Sequence, residues 1–146
     1  MKLGLWLCLL CLAGTGLARG AEPEGKVTLR MEGFRNNRGE AMVLLFGSKD
    51  GFPSSLKKAV KTTTVKVADR KAEVTLGPFP QGAYAIAVMH DENGNGKLDT
   101  LLGIPREGWG MSNNPKARTR VPRFDEAKFD LDSESRTVTV KMVYLR

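Results

Sequence analysis

The sequence predicts an all-β fold: an immunoglobulin-like or transthyretin-like β-sandwich of about seven strands, with one long irregular loop. Three observations carry this. Apolar residues alternate with period two over short segments, turn signals rich in Gly, Pro, Asn and Asp recur every ten residues or so, and no segment shows the spacing of an amphipathic helix. The balance of 41% hydrophobic and 27% charged residues in 146 suits an ordinary globular chain rather than a disordered one.

The first eighteen residues, MKLGLWLCLLCLAGTGLA, stand apart from that pattern. Lys2 supplies a minimal positive start, residues 3–12 an apolar stretch, and Gly16, Ala18 and Gly20 the small residues of a cleavage region. This is the layout of a secretory signal peptide, and it is short for a membrane span. We therefore expect a signal at 1–18 (cleavage extending to 20 at most), a mobile lead-in at 19–25, and one sandwich domain at 26–146. The expected destination is the periplasm or the extracellular space, with no transmembrane segment in the mature chain. Cys8 and Cys11, the only cysteines, leave with the signal, so the mature domain depends on a packed core, bound ions or both rather than on disulfides.

Within the domain each element has its own cue. Val27, Leu29 and Met31 alternate with Thr28, Arg30 and Glu32, as in a strand with one buried face. GFRNNRGE is a turn, and residues 41–46 (AMVLLF) are apolar on both sides, as in a central strand covered on both faces. Phe52, Pro53, Ser54, Ser55 and Leu56 open either a single helical turn or a loop. Residues 62–67 (TTTVKV), 72–76 (AEVTL) and 83–90 return to strand chemistry, and Val138, Val140, Met142 and Tyr144 alternate at the end of the chain. Pro80-Gln81-Gly82-Ala83-Tyr84 delivers a tyrosine into a strand, where it is expected to plug one end of the core. Phe124 and Phe129 are expected in the core as the chain re-enters the sheet. The long irregular stretch runs from 91 to about 123.

The charge of +7 would ordinarily point to nucleic acid. Export argues against that partner, and loss of Lys2 lowers the charge to about +6. Anionic envelope components or polysaccharide remain. The basic residues fall into separate groups, Lys57, Lys58 and Lys61 in one and Lys116, Arg118, Arg120 and Arg123 in another, which also suits a solvated surface.

Residues 90–99, HDENGNGKLD, hold the chemistry. Asp91, Asn93 and Asn95 place oxygen donors at alternate positions, Gly96 permits a sharp turn, Lys97 offers a backbone carbonyl and Asp99 adds a carboxylate. That is the spacing of a calcium-binding loop, in which tight coiling brings alternate side chains to one centre. Leu102 stands where the helix-loop-helix version has its bidentate Glu, and the preceding segment reads as strand, so the site is of a strand-loop type. Glu107 is the nearest candidate to complete the coordination, and Glu92 the next. The alternative is an Asn/Gly-rich turn held by Asx hydrogen bonds without an ion.

His90, the single histidine, reads as a hydrogen-bonded residue at a strand end rather than a catalytic base or zinc ligand, since neither further ligands nor hydrolase signatures are present. Trp109, between Gly108 and Gly110, is either an exposed aromatic for sugar or peptide or a cap on the sandwich. Together these readings describe a secreted, non-enzymatic binding module with Ca²⁺ in the 91–99 loop. The alternative is an envelope interaction module that holds polysaccharide or a partner protein through Trp109 and the basic surface. An enzyme using His90 with Asp91 or Glu107 is the third and weakest reading.

Three motifs in order, GAYAIAVMHDENGNGKLD, LGIPREGWGMSNN and PRFDEAKF, resemble the bacterial family called domain of unknown function 2141. The resemblance covers about residues 26–146. It implies a secreted or periplasmic all-β sandwich, points to residues 90–114 as the region of interest, and supplies no activity.

Overall fold

A computed structural model describes residues 20–116 and 120–145. The proposed signal at 1–18, its two cysteines and Arg118 lie outside the described residues. Two facing sheets and a small hairpin make up the described fold: a three-stranded sheet in the order β10-β1-β4, a second in the order β3-β2-β5-β8 in which β9 also pairs with β5, and the two-stranded β6-β7. The strands are β1 (Glu24–Glu32), β2 (Glu40–Phe46), β3 (Lys61–Lys66), β4 (Lys71–Pro80), β5 (Gly82–Asp91), β6 (Thr100–Leu101), β7 (Ile104–Pro105), β8 (Trp109–Met111), β9 (Phe129–Leu131) and β10 (Arg136–Lys141). Among the described residues one short helix, α1 (Phe124–Ala127), precedes β9.

The period-two segments become strands because each has one face to bury. Val27, Leu29 and Met31 of β1 meet Val138 and Val140 of β10 and Ala72 and Leu76 of β4, and they pack on Ala41, Val43 and Leu45 of β2 and Tyr84, Ile86 and Val88 of β5. The other face of β2 presents Met42, Leu44 and Phe46, which are covered by Phe52 and Ala59 of the segment after β2 and by Phe124 of α1. That second layer is the physical reason AMVLLF carries no alternation. The Tyr84 hydroxyl donates to the Pro80 carbonyl at 2.8 Å and closes one end of the core.

Two differences from the sequence expectation stand out. Among the described residues there are ten strands rather than about seven, because β6, β7 and β8 form inside the stretch expected to be irregular. These strands are two or three residues long, too short for periodicity to register. The first strand begins at Glu24, inside the expected lead-in, where Glu24 and Gly25 pair with Pro80 and Phe79 across a register shift. Residues 52–56 form turns, the loop alternative of the two expected there.

The first and last strands, β1 and β10, pair in parallel. As a result the chain beyond β10 runs toward the same end of the sandwich as the loop after β5. Val143 exchanges two backbone hydrogen bonds with Trp109 (3.0 and 2.7 Å), which delivers Tyr144 to the end of β5. No helix among the described residues is long and apolar enough to cross a membrane.

Candidate functional site

The site is built where β5 ends. His90 and Asp91 are its last two residues, paired with Ala41 and Glu40 of β2, and both are buried. From Asp91 the backbone coils through Gly94 and Gly96, both at positive φ (+72° and +73°). The Asp91 carboxylate accepts the N–H groups of Asn95 (3.1 Å) and Gly96 (2.7 Å). The Asn93 side-chain oxygen accepts the Asn95 N–H (3.0 Å), and that of Asn95 accepts the Lys97 N–H (2.9 Å). This is a run of Asx turns, in which short side-chain oxygens stand in for backbone acceptors.

Asp99 closes the loop. Its carboxylate receives the Asn93 amide at 2.6 Å and the Asn95 amide at 2.8 Å. Asn93, Asn95 and Asp99 therefore bond side chain to side chain, and Asp91 joins them through the backbone of Asn95 and Gly96. Two carboxylates and two amides form the group, and among the described residues no set of three or more His, Cys, Asp or Glu side chains is placed to hold a metal.

Glu107 has a different position from a ligand at the loop's centre. Its two oxygens accept the N–H of Glu92 (2.9 Å) and of Asp99 (3.0 Å), so one buried carboxylate ties both ends of the loop to β5's end. Glu92 turns away from the loop: it accepts from the Asn36 amide (2.9 Å) and pairs with the Arg35 guanidinium (2.5 Å). Burial pushes the Glu92 carboxyl up, but the Asn36 amide and the Arg35 guanidinium outweigh this and hold it below its ordinary value. The Arg35 contact is a short charge pair rather than a well-aligned hydrogen bond, since that oxygen has no partner of good angle.

His90 is fully buried. Its Nε2 lies 2.8 Å from the Arg38 carbonyl, and its Nδ1 lies 2.7 Å from the Tyr144 hydroxyl. A carbonyl can only accept, so Nε2 carries a hydrogen and donates it to Arg38, while the Tyr144 oxygen at Nδ1 also takes the Arg35 N–H (3.2 Å). The Phe34 ring stands edge-on at 5.0 Å. Both ring nitrogens are thus occupied in tying the turn at 34–38 and the C-terminal segment to β5.

Residues 29–139 match the model of a family described as an uncharacterized protein conserved in bacteria, DUF2141. The chain belongs to this family. No curated protein matches the chain. Among solved structures, a pilus-presented adhesin, Spy0125 (Cpa), is similar at 13% identity and a TM-score of 0.29, over 82% of this chain and 27% of the adhesin chain.

For this DUF2141 chain the structure separates residues that the motif places side by side. Asp91, Asn93, Asn95 and Asp99 come together, whereas Trp109 does not join them. It lies in β8, half-buried, with its backbone bonded to Val143 and its side chain packed against a cluster of Ala85, Met111 and Ala127. The flanking glycines have a packing reason: a Cβ on Gly108 would come within 2.4 Å of the Tyr144 ring, and one on Gly110 within 2.6 Å of the Val140 side chain. The basic groups are partly neutralised. Glu126 pairs with Arg120 (2.7 Å) and is held down to about 2, chiefly by that hydrogen bond, and Lys58 pairs with Asp50 (2.8 Å). Lys57, Lys61 and Lys116 are exposed.

Arg35, Asn36, Arg38 and Tyr144 escaped the sequence reading. GFRNNRGE carries only turn signals, and nothing in its spacing says that it packs on a loop more than fifty residues away. Tyr144 was legible only as the last position of an alternating strand.

Proposed function

We propose that the chain is an exported, non-enzymatic β-sandwich binding module whose 91–99 loop takes Ca²⁺. The observation that supports this reading is the tight coil in which Asp99 bonds the Asn93 and Asn95 side chains while Asp91 holds the backbone of Asn95 and Gly96. Each carboxylate has about four lone-pair sites and uses two here, so oxygens remain for a cation. Rotation of the two Asn amides would turn their oxygens inward and end their donation to Asp99. Lys97 adds a backbone carbonyl from the same turn. Glu107 serves as the clamp that keeps both ends of the loop in place rather than as a ligand. With two carboxylates, affinity belongs in the range of about 10⁻⁴–10⁻³ M seen for extracellular modules. Burial of His90 and occupation of both its nitrogens support the non-enzymatic part.

The test is thermal unfolding of the mature domain with calcium and with chelator. Saturating calcium at a hundredfold above Kd stabilises by about 2.7 kcal/mol. The midpoint should rise accordingly, and the rise should vanish in Asp91→Ala and in Asp99→Ala. A wild-type midpoint indifferent to calcium overturns the reading. The alternative, polysaccharide or partner binding through Trp109 and the basic surface, draws less support from the geometry, because Trp109 is half-buried and Arg120 and Arg123 share Glu126.

A further inference from the structure

The loop at 91–99 contains both Asn-Gly pairs of the chain, Asn93-Gly94 and Asn95-Gly96. An asparagine before glycine can lose its amide to its own backbone. The glycine nitrogen attacks the side-chain carbonyl carbon, and a residue without a Cβ leaves that approach open. The side chains of the two pairs are held alike. Asn93 Oδ1 accepts the Asn95 N–H (3.0 Å) and its amide donates to Asp99 (2.6 Å). Asn95 Oδ1 accepts the Lys97 N–H (2.9 Å) and its amide donates to the other Asp99 oxygen (2.8 Å).

The two attacking nitrogens are not held alike. Gly96 gives its N–H to the Asp91 carboxylate at 2.7 Å, and Asp91 is buried at the end of β5. The Gly94 N–H has no hydrogen-bond partner among the described residues. Asn93 and Gly94 are both exposed. A Cβ on Gly94 would meet nothing within 4 Å, whereas one on Gly96 would lie 3.9 Å from the Met42 side chain. The fold thus restrains one nitrogen and leaves the other free in solvent, beside an amide whose oxygen already faces an N–H.

We propose that Asn93 is a self-deamidation site, and that its conversion to a carboxylate unlatches the loop from Asp99. The Gly94 nitrogen gives its proton to solvent base and forms a bond to Asn93 Cγ. Charge develops on Oδ1, where the Asn95 N–H receives it. The Cγ–Nδ2 bond then breaks, its nitrogen takes a proton from water and leaves as ammonia, and a cyclic imide remains. Water opens the ring at either carbonyl to give aspartyl or isoaspartyl at 93. The balance is amide plus water to acid plus ammonia, with no oxidation or reduction. The product carries an oxygen where the Asn93 amide donated to Asp99, so an attraction becomes a repulsion between two carboxylates. No step involves a cation, and the inference goes beyond the calcium reading without resting on it.

The experiment incubates the mature domain in chelator at mildly alkaline pH, folded and in denaturant. Peptide mapping by mass spectrometry follows each asparagine. In the folded protein Asn93 should convert at least about tenfold faster than Asn95, the rate equivalent of the charged hydrogen bond that Gly96 must first break. In denaturant that bond is gone, and the two should convert at similar rates. Asp91→Ala should raise the Asn95 rate in the folded protein toward that of Asn93. Asn93→Asp should melt a few degrees below wild type in chelator. Equal rates in the folded protein, faster conversion at Asn95, or no conversion at either overturns the proposal, as does an Asn93→Asp midpoint equal to wild type. A difference that persists in denaturant overturns it too, because local sequence rather than the fold would then select the site. Selective conversion at Asn93 with no calcium-dependent melting shift would leave this site standing and the calcium site refuted. Equal rates with such a shift would do the reverse.

Discussion

The Tyr144 hydroxyl lies 2.7 Å from Nδ1 of the buried His90, so the segment after β10 is hydrogen-bonded to the residue immediately before the loop. The parallel pairing of β1 with β10 makes this possible, because it sends the C-terminus to the loop end of the sandwich. Tyr144→Phe keeps the ring and removes the bridge between His90 and the Arg35 N–H. Leaving a buried imidazole nitrogen unpaired costs about 1–3 kcal/mol. Denaturant unfolding of the two proteins should show that loss at unchanged m-value, and equal midpoints would mean that the bond contributes nothing.

Gly108 faces the ring of the same tyrosine. Its hypothetical Cβ falls 2.4 Å from ring carbons, so Gly108→Ala must displace Tyr144. Overpacking of this kind costs about 1–3 kcal/mol. In a Tyr144→Ala background the clash has no partner, and the same substitution should cost much less. A double-mutant cycle reads the difference, and additive costs would place the strain elsewhere.

Glu107 accepts one N–H at each end of the loop, a task for two acceptor oxygens. Glu107→Gln turns one of them into a donor facing a donor. A cost of about 1–3 kcal/mol follows, together with faster hydrogen exchange at the amides of Glu92 and Asp99. Exchange rates at those two amides that match wild type would contradict the clamp.

The Glu92 carboxyl lies below its ordinary value of 4.5 in the folded state, so its contribution has a defined sign with pH. A depressed carboxyl stabilises fully above its unfolded value, and that stabilisation drains away as pH falls through the folded one. The stability gap between wild type and Glu92→Gln should therefore be constant near neutral pH and narrow below about 4.5. Melting curves of both proteins across that interval check it, and parallel pH profiles would show that Glu92 gains nothing from Arg35 and Asn36.

How much of this was legible beforehand depended on the range of each interaction. The strands with one buried face announced themselves, since alternation at Val27, Leu29 and Met31 follows from local geometry and one adjacent core. The run 41–46 likewise disclosed a strand covered on both faces. The loop at 91–99 was readable because its Asx turns span two to five residues, and the spacing itself encodes the coil. By contrast β6, β7 and β8 are too short to carry a period.

By itself, then, the sequence determined the all-β class, the faces of the long strands and the place of the one acidic loop, all of which rest on contacts between near neighbours in the chain. Tertiary structure alone decided that Glu107 clamps the loop instead of entering it, that Trp109 lies in a strand, and that His90 is bonded to Tyr144 and Arg38. These outcomes hang on the parallel β1–β10 pairing and on where the turn at 34–38 packs. Such long-range placements are set by the closing of the two sheets, and no local pattern of residues records them.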